Sequence, residues 1–409
     1  GGAYPVGMTQ HGFVRGLFVV LLMATVPGGA AAADWPRWRG PELNGISRET
    51  GWLTSWPDGG PKVLWKARVG TGFSSFAIAQ GRAYTMGNAN DTDSVFCFDA
   101  ATGRVIWRHD YPAPLDANSY EGGTSATPTV DGDRVYTLSK RGVMFCLDAA
   151  KGTIIWTKLL AEELGAAMPT WGFAGSVLVE GDLLLVNVGS TGTALQKDNG
   201  TVVWSHGTGE AGYATPVPFT SAGTRAAVLF TREHVVAVTV ADGKELWRYP
   251  WKTRYDVNAA DPILAGDQVF VSSGYNRGAS VIQITGSTAE KVWENRNMRN
   301  HFNSCVRWEG HLYGVDETEL RCLVWDTGEV KWSDRKFGKG SLMLADGYLI
   351  ALSEKGELMV APARPTEFKP LARAQVIGGK CWTTPVLANG RIYCRNAAGD
   401  VVCVDVRGQ

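Results

Sequence analysis

The segment DAATGRVIW, Asp99–Trp107, is followed by a near copy, DAAKGTIIW, Asp148–Trp156. The tryptophan that ends it recurs as Trp65, Trp107, Trp156, Trp204, Trp247, Trp293 and Trp332, at steps of 39–49 residues. A period of this length marks a supersecondary unit too small to bury its own faces, so the units must pack on one another. Most copies also place glycine four residues ahead of the tryptophan, at Gly103, Gly152, Gly200, Gly243 and Gly328. An eighth equivalent, without tryptophan, falls around Leu371 in FKPLARAQ.

A second marker runs out of phase with the first: a glycine turn precedes an apolar stretch at Gly81, Gly132, Gly181, Gly223, Gly266, Gly310, Gly347 and Gly390. It too counts eight. Between Ser125 and Leu160, turns at DGD, KRG and AAKG separate four short stretches rich in Val, Ile, Tyr, Thr and Leu, which reads as a four-stranded antiparallel meander. Eight such units closing face to face predict an all-β, eight-bladed propeller. The last copy supplies only three strands, and GPKVLWKARVG near the N-terminus is a strand without predecessors, so the N-terminal strand is expected to complete the last blade.

The recurring tryptophan then has a structural role. It sits on the outermost strand of each blade, packs against the neighbouring blade, and its indole N–H needs an acceptor such as a backbone carbonyl there. The glycine four residues earlier allows positive φ in the turn between the third and fourth strands. Cys97, Cys146 and Cys403 share one repeated position and point the same way around the ring, so they are expected to stay free thiols. Cys394 and Cys403 flank the turn NAAGD, which leaves a disulfide across that hairpin open.

Ahead of the repeats, an n-region from Met8 with His11 and Arg15 leads into the apolar LFVVLLMATV and then small residues up to Asp34. This is the pattern of a secretory signal with an A-x-A cleavage site near Ala31–Ala33. The apolar run is far short of the roughly twenty residues that span a bilayer. Residues 1–33 are accordingly read as upstream residues and a cleaved signal, 34–60 as an extended N-terminal segment, and 61–409 as one propeller domain. The expected mature protein is exported to the periplasm or beyond, soluble and monomeric. It has no membrane span, and no cysteine at the cleavage point to carry a lipid. Forty basic residues balance forty acidic ones, which gives no footing to a nucleic-acid partner.

The pattern Asp-x-x-Thr-Gly-x-x-x-Trp, complete at Asp99, Thr102, Gly103 and Trp107, closely resembles the tryptophan-docking motif of the PQQ-like propeller superfamily, over about residues 34–409. Two of its branches are quinoprotein alcohol dehydrogenases and the non-enzymatic envelope scaffold BamB. The stretches DWPRWRGPELNGIS, NMRNHFNS and GKGSLMLADGYLI resemble a secreted bacterial group of PQQ-binding-like propeller proteins. That likeness fixes the fold better than the function, and the expectation is a non-catalytic scaffold for an envelope protein or a polar small ligand, with no cofactor expected and no catalytic or metal residue assigned. Its alternative is a PQQ-dependent oxidoreductase of alcohols or sugars, holding PQQ with calcium at the central channel. Members of that branch carry a vicinal cysteine pair and long insertions between blades; this sequence has no Cys-Cys, and its repeats are nearly insertion-free.

Other catalytic signals fail on context. GTGEAG, Gly207–Gly212, follows a strand, but Pro216 and Pro218 exclude the helix a dinucleotide site requires. The six histidines form no zinc motif. The links between blades are more telling, because each passes the mouth of the channel. They carry Tyr120, Glu121, Trp171, Tyr213, Asn258, Asp261, Asn300, His301, Asn303, Lys339 and Trp382. Aromatic faces beside amide, carboxylate and ammonium groups suit a polar ligand such as a sugar or a peptide loop; the same residues also serve to fill the channel and cap strand ends.

Overall fold

The second and third stretches of each repeat are nearly continuous apolar runs, such as SVFCF and VMFCL, and these strands are buried along almost their whole length. Continuous rather than alternating burial means that both faces of each sheet are covered, as they are when sheets stack around a ring. A computed structural model describes residues 30–408 and shows this arrangement. The apolar run of the expected secretory signal lies outside the described residues. Eight antiparallel sheets follow in chain order, at 77–112, 129–159, 178–205, 217–250, 263–295, 306–334, 341–375 and 386–405, here blades 1 to 8. Blade 8 takes its outermost strand, Lys62–Arg68, from the N-terminal side, in antiparallel register with Asp400–Asp405. Among the described residues, helix is confined to Leu160–Leu164 and the single turn Arg254–Asp256. No helix among the described residues is long and apolar enough to cross a membrane.

The repeated tryptophan is set by a β-bulge. In blade 1, Trp107 pairs with Cys97 and Val105 with Phe98, so Ile106 is the extra residue, and the same skip precedes each of the seven tryptophans. Six indoles donate Nε1–H to a carbonyl of the next blade: Trp65 to Ala100, Trp107 to Ala149, Trp156 to Lys197, Trp204 to Val240, Trp293 to Trp325 and Trp332 to Arg364, at 2.7–2.9 Å. The motif glycine has a second task besides its turn. Gly103 has φ 74°, and a Cβ built there would lie 2.5 Å from Cδ2 of Trp65 in the adjoining blade. In blade 7 the tryptophan position is Ala372, one residue beyond Leu371, and no bulge precedes it. Trp52 and Trp56 of the N-terminal segment take up the space, Trp52 edge-on to Tyr348 and Trp56 donating to the Arg373 carbonyl.

All seven cysteines are buried and free. The open question of a Cys394–Cys403 disulfide is resolved by register. Cys394 lies opposite Val402 and Tyr393 opposite Cys403, so the two thiols sit on opposite faces of the sheet.

The N-terminal segment crosses the channel. Trp35 exchanges backbone hydrogen bonds with Ile78 of blade 1, and the Pro36 carbonyl accepts from Val130 of blade 2. Leu43 joins the apolar cluster between blades 3 and 4. Ile46–Ser47 pairs parallel to the innermost strand of blade 7, and the Glu49 carboxylate accepts from the backbone of Asn389 and Gly390 at the end of the innermost strand of blade 8. These contacts cluster toward the trailing ends of the innermost strands. The segment closes that end of the channel and leaves the other, where the chain enters each blade, as a blind cavity.

Candidate functional site

At the entering end, one residue per blade occupies an equivalent place just before or within the innermost strand: Ser75, Thr127, Ser176, Thr215, Asp261, Ser304, Ser341 and Thr384. Their short polar side chains bond across blade boundaries. The backbone N–H of Ser75 donates to Thr127 Oγ1, that of Thr127 to Ser176 Oγ, that of Ser176 to Thr215 Oγ1 and that of Thr215 to Asp261 Oδ1, all at 2.8–3.0 Å. Ser304 Oγ donates to the Asp261 carbonyl, Ser341 and Thr384 share a hydroxyl contact, and Ser75 Oγ donates to the Thr384 carbonyl. The belt thus ties blades 1 to 6 in series and joins blades 7 and 8 back to blade 1.

Asp261 breaks the hydroxyl pattern, and the N-terminal segment is built around it. Trp38 Nε1 donates to its Oδ2 at 2.5 Å, and the Arg39 guanidinium lies 3.9 Å away, with both side chains of that ion pair almost wholly buried. Arg39 also donates to the Cys305 carbonyl at 2.8 Å. Burial is the larger influence on each partner: it pushes the Asp261 carboxyl up and the Arg39 guanidinium down, while each opposes the other's shift. With blades 5 and 6 held this way, the indole of Trp38 becomes the floor of a cavity of about 270 Å³.

Above the floor stands a collar of aromatic rings. Neighbouring centroids run Tyr120–Phe73–Trp382–Phe302–His301–Tyr275–Tyr255–Trp171–Tyr213 at 3.8–6.5 Å. The collar is pinned from behind. Trp382 donates Nε1–H to Glu354, its carbonyl accepts from Asn303 Nδ2, and Lys380 stands 3.5 Å over its ring while pairing with Glu121 at 3.0 Å. Trp171 donates Nε1–H to the Asn118 carbonyl, which bridges back toward Tyr120. Lys140 lies 5.0 Å over the Tyr120 ring.

His301 is fixed in one protonation state. Lys339 Nζ is 2.7 Å from its Nδ1, and an ammonium only donates, so Nδ1 accepts and the proton resides on Nε2. Burial, with the Lys339 charge beside it, lowers this imidazole to about 3, so it stays neutral through the physiological range.

Of the eleven residues named from sequence, Tyr120, Trp171, Tyr213, Asp261, His301, Asn303 and Trp382 line the cavity together. Glu121 and Lys339 stand behind the collar, holding Lys380 and His301. Asn258 and Asn300 are buried and occupied as strand-end caps. Asn258 donates to the carbonyls of Thr231, Arg232 and Trp251, and Asn300 to that of Val315. Sequence reasoning missed Trp38, Phe73, Tyr275, Phe302 and the hydroxyl belt. Phe302 sits inside the quoted RNHFNS, and aligning the repeats on their innermost strands exposes the Ser/Thr position; Tyr275 comes from a hairpin turn with no repeat signature.

The carboxylate oxygens at the cavity are already engaged. Asp261 is the carboxylate at the cavity, and its oxygens are taken by Trp38 and Thr215 with Arg39 alongside. Among the described residues no group of three or more His, Cys, Asp or Glu side chains is placed to hold a metal.

The fold and site define an eight-bladed propeller whose channel is closed at one end and ringed by aromatic side chains at the other. Residues 91–334 match the family described as outer membrane protein assembly factor BamB, and the chain belongs to that family. The fold is similar to that of BamB from Moraxella catarrhalis, with a TM-score of 0.60 and 14% identity over 84% of this chain and 99% of that one. It is also similar to the quinohemoprotein alcohol dehydrogenase from Comamonas testosteroni, with a TM-score of 0.64 and 13% identity over 92% and 81% of the two chains. The computationally designed Ika8 protein shares it as well, with a TM-score of 0.62 and 11% identity over 85% of this chain and 100% of that one. At such identities the likeness is one of fold. No curated protein matches the sequence.

Proposed function

We propose that this chain is an exported, non-catalytic binding propeller of the cell envelope, whose working site is the aromatic-collared cavity at the open end of its channel. The observation that carries the reading is the collar itself: of its nine rings, several of them pinned by hydrogen bonds and cations, eight line a preformed cavity above Trp38. Preformed, largely apolar cavities with a few fixed polar groups are what small ring ligands bind. Membership of a family named for an outer-membrane assembly factor supports an envelope setting and a protein partner docking around the same mouth.

The test is a thermal-shift panel of sugars, sugar acids, aromatic acids and short peptides, run on the wild type and on Ala174→Trp, which puts an indole into the cavity wall. The reading expects a saturable rise in melting temperature with at least one ring compound, absent in the variant. A response equal in both proteins, or none in the wild type, refutes it. A parallel arm with PQQ and Ca²⁺ addresses the rival: a saturable shift accompanied by dye-linked alcohol oxidation would replace the binding reading with an oxidoreductase.

A further inference from the structure

The polar atoms of the cavity are unequally divided between donors and acceptors. Thr127, Ser176 and Thr215 line it, and each hydroxyl oxygen already accepts a backbone N–H from the preceding blade. A hydroxyl that has accepted still has its proton to give, and among the described residues none of these three donates to a protein acceptor. Tyr120 Oη and His301 Nε2 are buried without partners. Both are donors: burial first, then nearby Asp116, raises the Tyr120 phenol so that it keeps its proton, and His301 carries its proton on Nε2. The cavity's one carboxylate, Asp261, is fully engaged. Five protons on side chains that line the cavity thus have no acceptor among the described residues, while the side-chain amide of Asn303, whose Nδ2 donates to the Trp382 carbonyl, keeps an oxygen as acceptor.

The charges around the collar are mixed: Glu354 accepts from Trp382 and has no ion-pair partner among the described residues. Glu121 is paired with Lys380, and Asp116 with Arg141. Lys339 instead touches the neutral His301 and faces the rings of Phe302 and Trp382 at 5.8 and 5.7 Å. Lys140 donates only to the carbonyls of Leu115 and Asp116 while standing over Tyr120. Two ammonium groups thus lie against the collar without an ion-pair partner among the described residues.

Resting on the reading that this cavity binds a small molecule, we propose that its ligand is a ring compound bearing a carboxylate. The ring packs among the collar side chains, its acceptor oxygens take the hydroxyl and imidazole protons, and the negative charge answers Lys339 and Lys140. A sugar acid and an aromatic acid share this chemistry, and the test separates them.

Isothermal titration with glucuronate and 4-hydroxybenzoate, against their neutral counterparts glucose and phenol, reads the charge requirement. One acid is expected to bind at least about tenfold more tightly than its neutral counterpart, and which of the two does so identifies the source. Lys339→Met should erase that margin, and raising salt should weaken the acid but not the neutral compound. The salt series also guards against a misfolded variant, because it uses the wild type. Equal binding of acid and neutral ring, or an acid affinity indifferent to both Lys339→Met and salt, overturns the inference while the cavity reading stands. Failure of all four probes at millimolar concentration overturns it too, and the separate panel with Ala174→Trp then decides the cavity reading on its own.

Discussion

The Arg39–Asp261 pair offers the sharpest energetic test, because it joins the N-terminal segment to blade 5 across more than two hundred residues of chain. Consider Asp261→Asn. The new amide retains an oxygen for the Thr215 N–H at 2.8 Å, but its NH₂ faces the Trp38 N–H donor, and Arg39 is left buried with the Cys305 carbonyl as its acceptor. Removing one member of a buried pair costs about 3–5 kcal/mol, chiefly because the other charge is stranded. Arg39→Met strands the carboxylate instead. That carboxylate keeps two donors, and burial already pushes it toward its neutral form, so the cost should be smaller, about 2 kcal/mol. The double variant strands no charge. It should be destabilised by clearly less than the sum of the single changes, with a coupling of about 2 kcal/mol or more. Chemical denaturation followed by tryptophan fluorescence on all four proteins supplies the cycle. Single effects that add to within about 0.5 kcal/mol would show that the two side chains do not act as a unit and would remove this account of how the floor is held.

Three further outcomes follow from the packing and the site. Gly103→Ala should cost well over 2 kcal/mol, since its Cβ meets Trp65 as well as a left-handed backbone, whereas Gly132→Ala, at φ 58° with open space around it, should cost about 1 kcal/mol; equal effects in thermal melts would contradict the packing role. None of the seven thiols should react with iodoacetamide near neutral pH until the protein is denatured, because all are buried and burial pushes groups such as Cys97 and Cys403 up to about 12; rapid native labelling would refute this. His301 titrates near 3 in the fold but near 6.5 when unfolded, so below about pH 6.5 the unfolded chain takes up the proton first and stability falls with pH, by at most about 1.4 kcal/mol per unit. His301→Gln should flatten that part of the melting-temperature profile, and an unchanged slope would contradict the buried neutral imidazole.

The ring of blades is legible in the sequence because each blade is one copy of a repeat. Eight glycine turns map onto eight hairpins, and the three-stranded last copy announces the strand Lys62–Arg68 that completes it. The bulge ahead of each tryptophan, a register shift inside the blade, and the contact of the preceding motif glycine with the neighbouring indole, which arises from packing between copies, are not legible. The site divides along the same line. Trp171, Tyr213, His301 and Trp382 lie in links that recur once per blade, so their shared address at the channel mouth could be inferred. Trp38 and Arg39 belong to a segment outside the period, and their partner Asp261 is distant in sequence. Asn258 and Asn300 share the address of the collar residues but face inward, because a strand end nearby leaves carbonyls that need their amides.

The central claim is that the collar above Trp38 is where this propeller binds. A crystal structure grown with the tightest ring compound from the thermal-shift panel tests it most directly. The account requires the ligand inside the collar, with its ring against Trp382, Phe302 or Trp171 and oxygen atoms within hydrogen-bonding distance of His301 Nε2 or Thr215 Oγ1. An empty collar with the ligand bound instead at a blade edge or on the face closed by the N-terminal segment would contradict it.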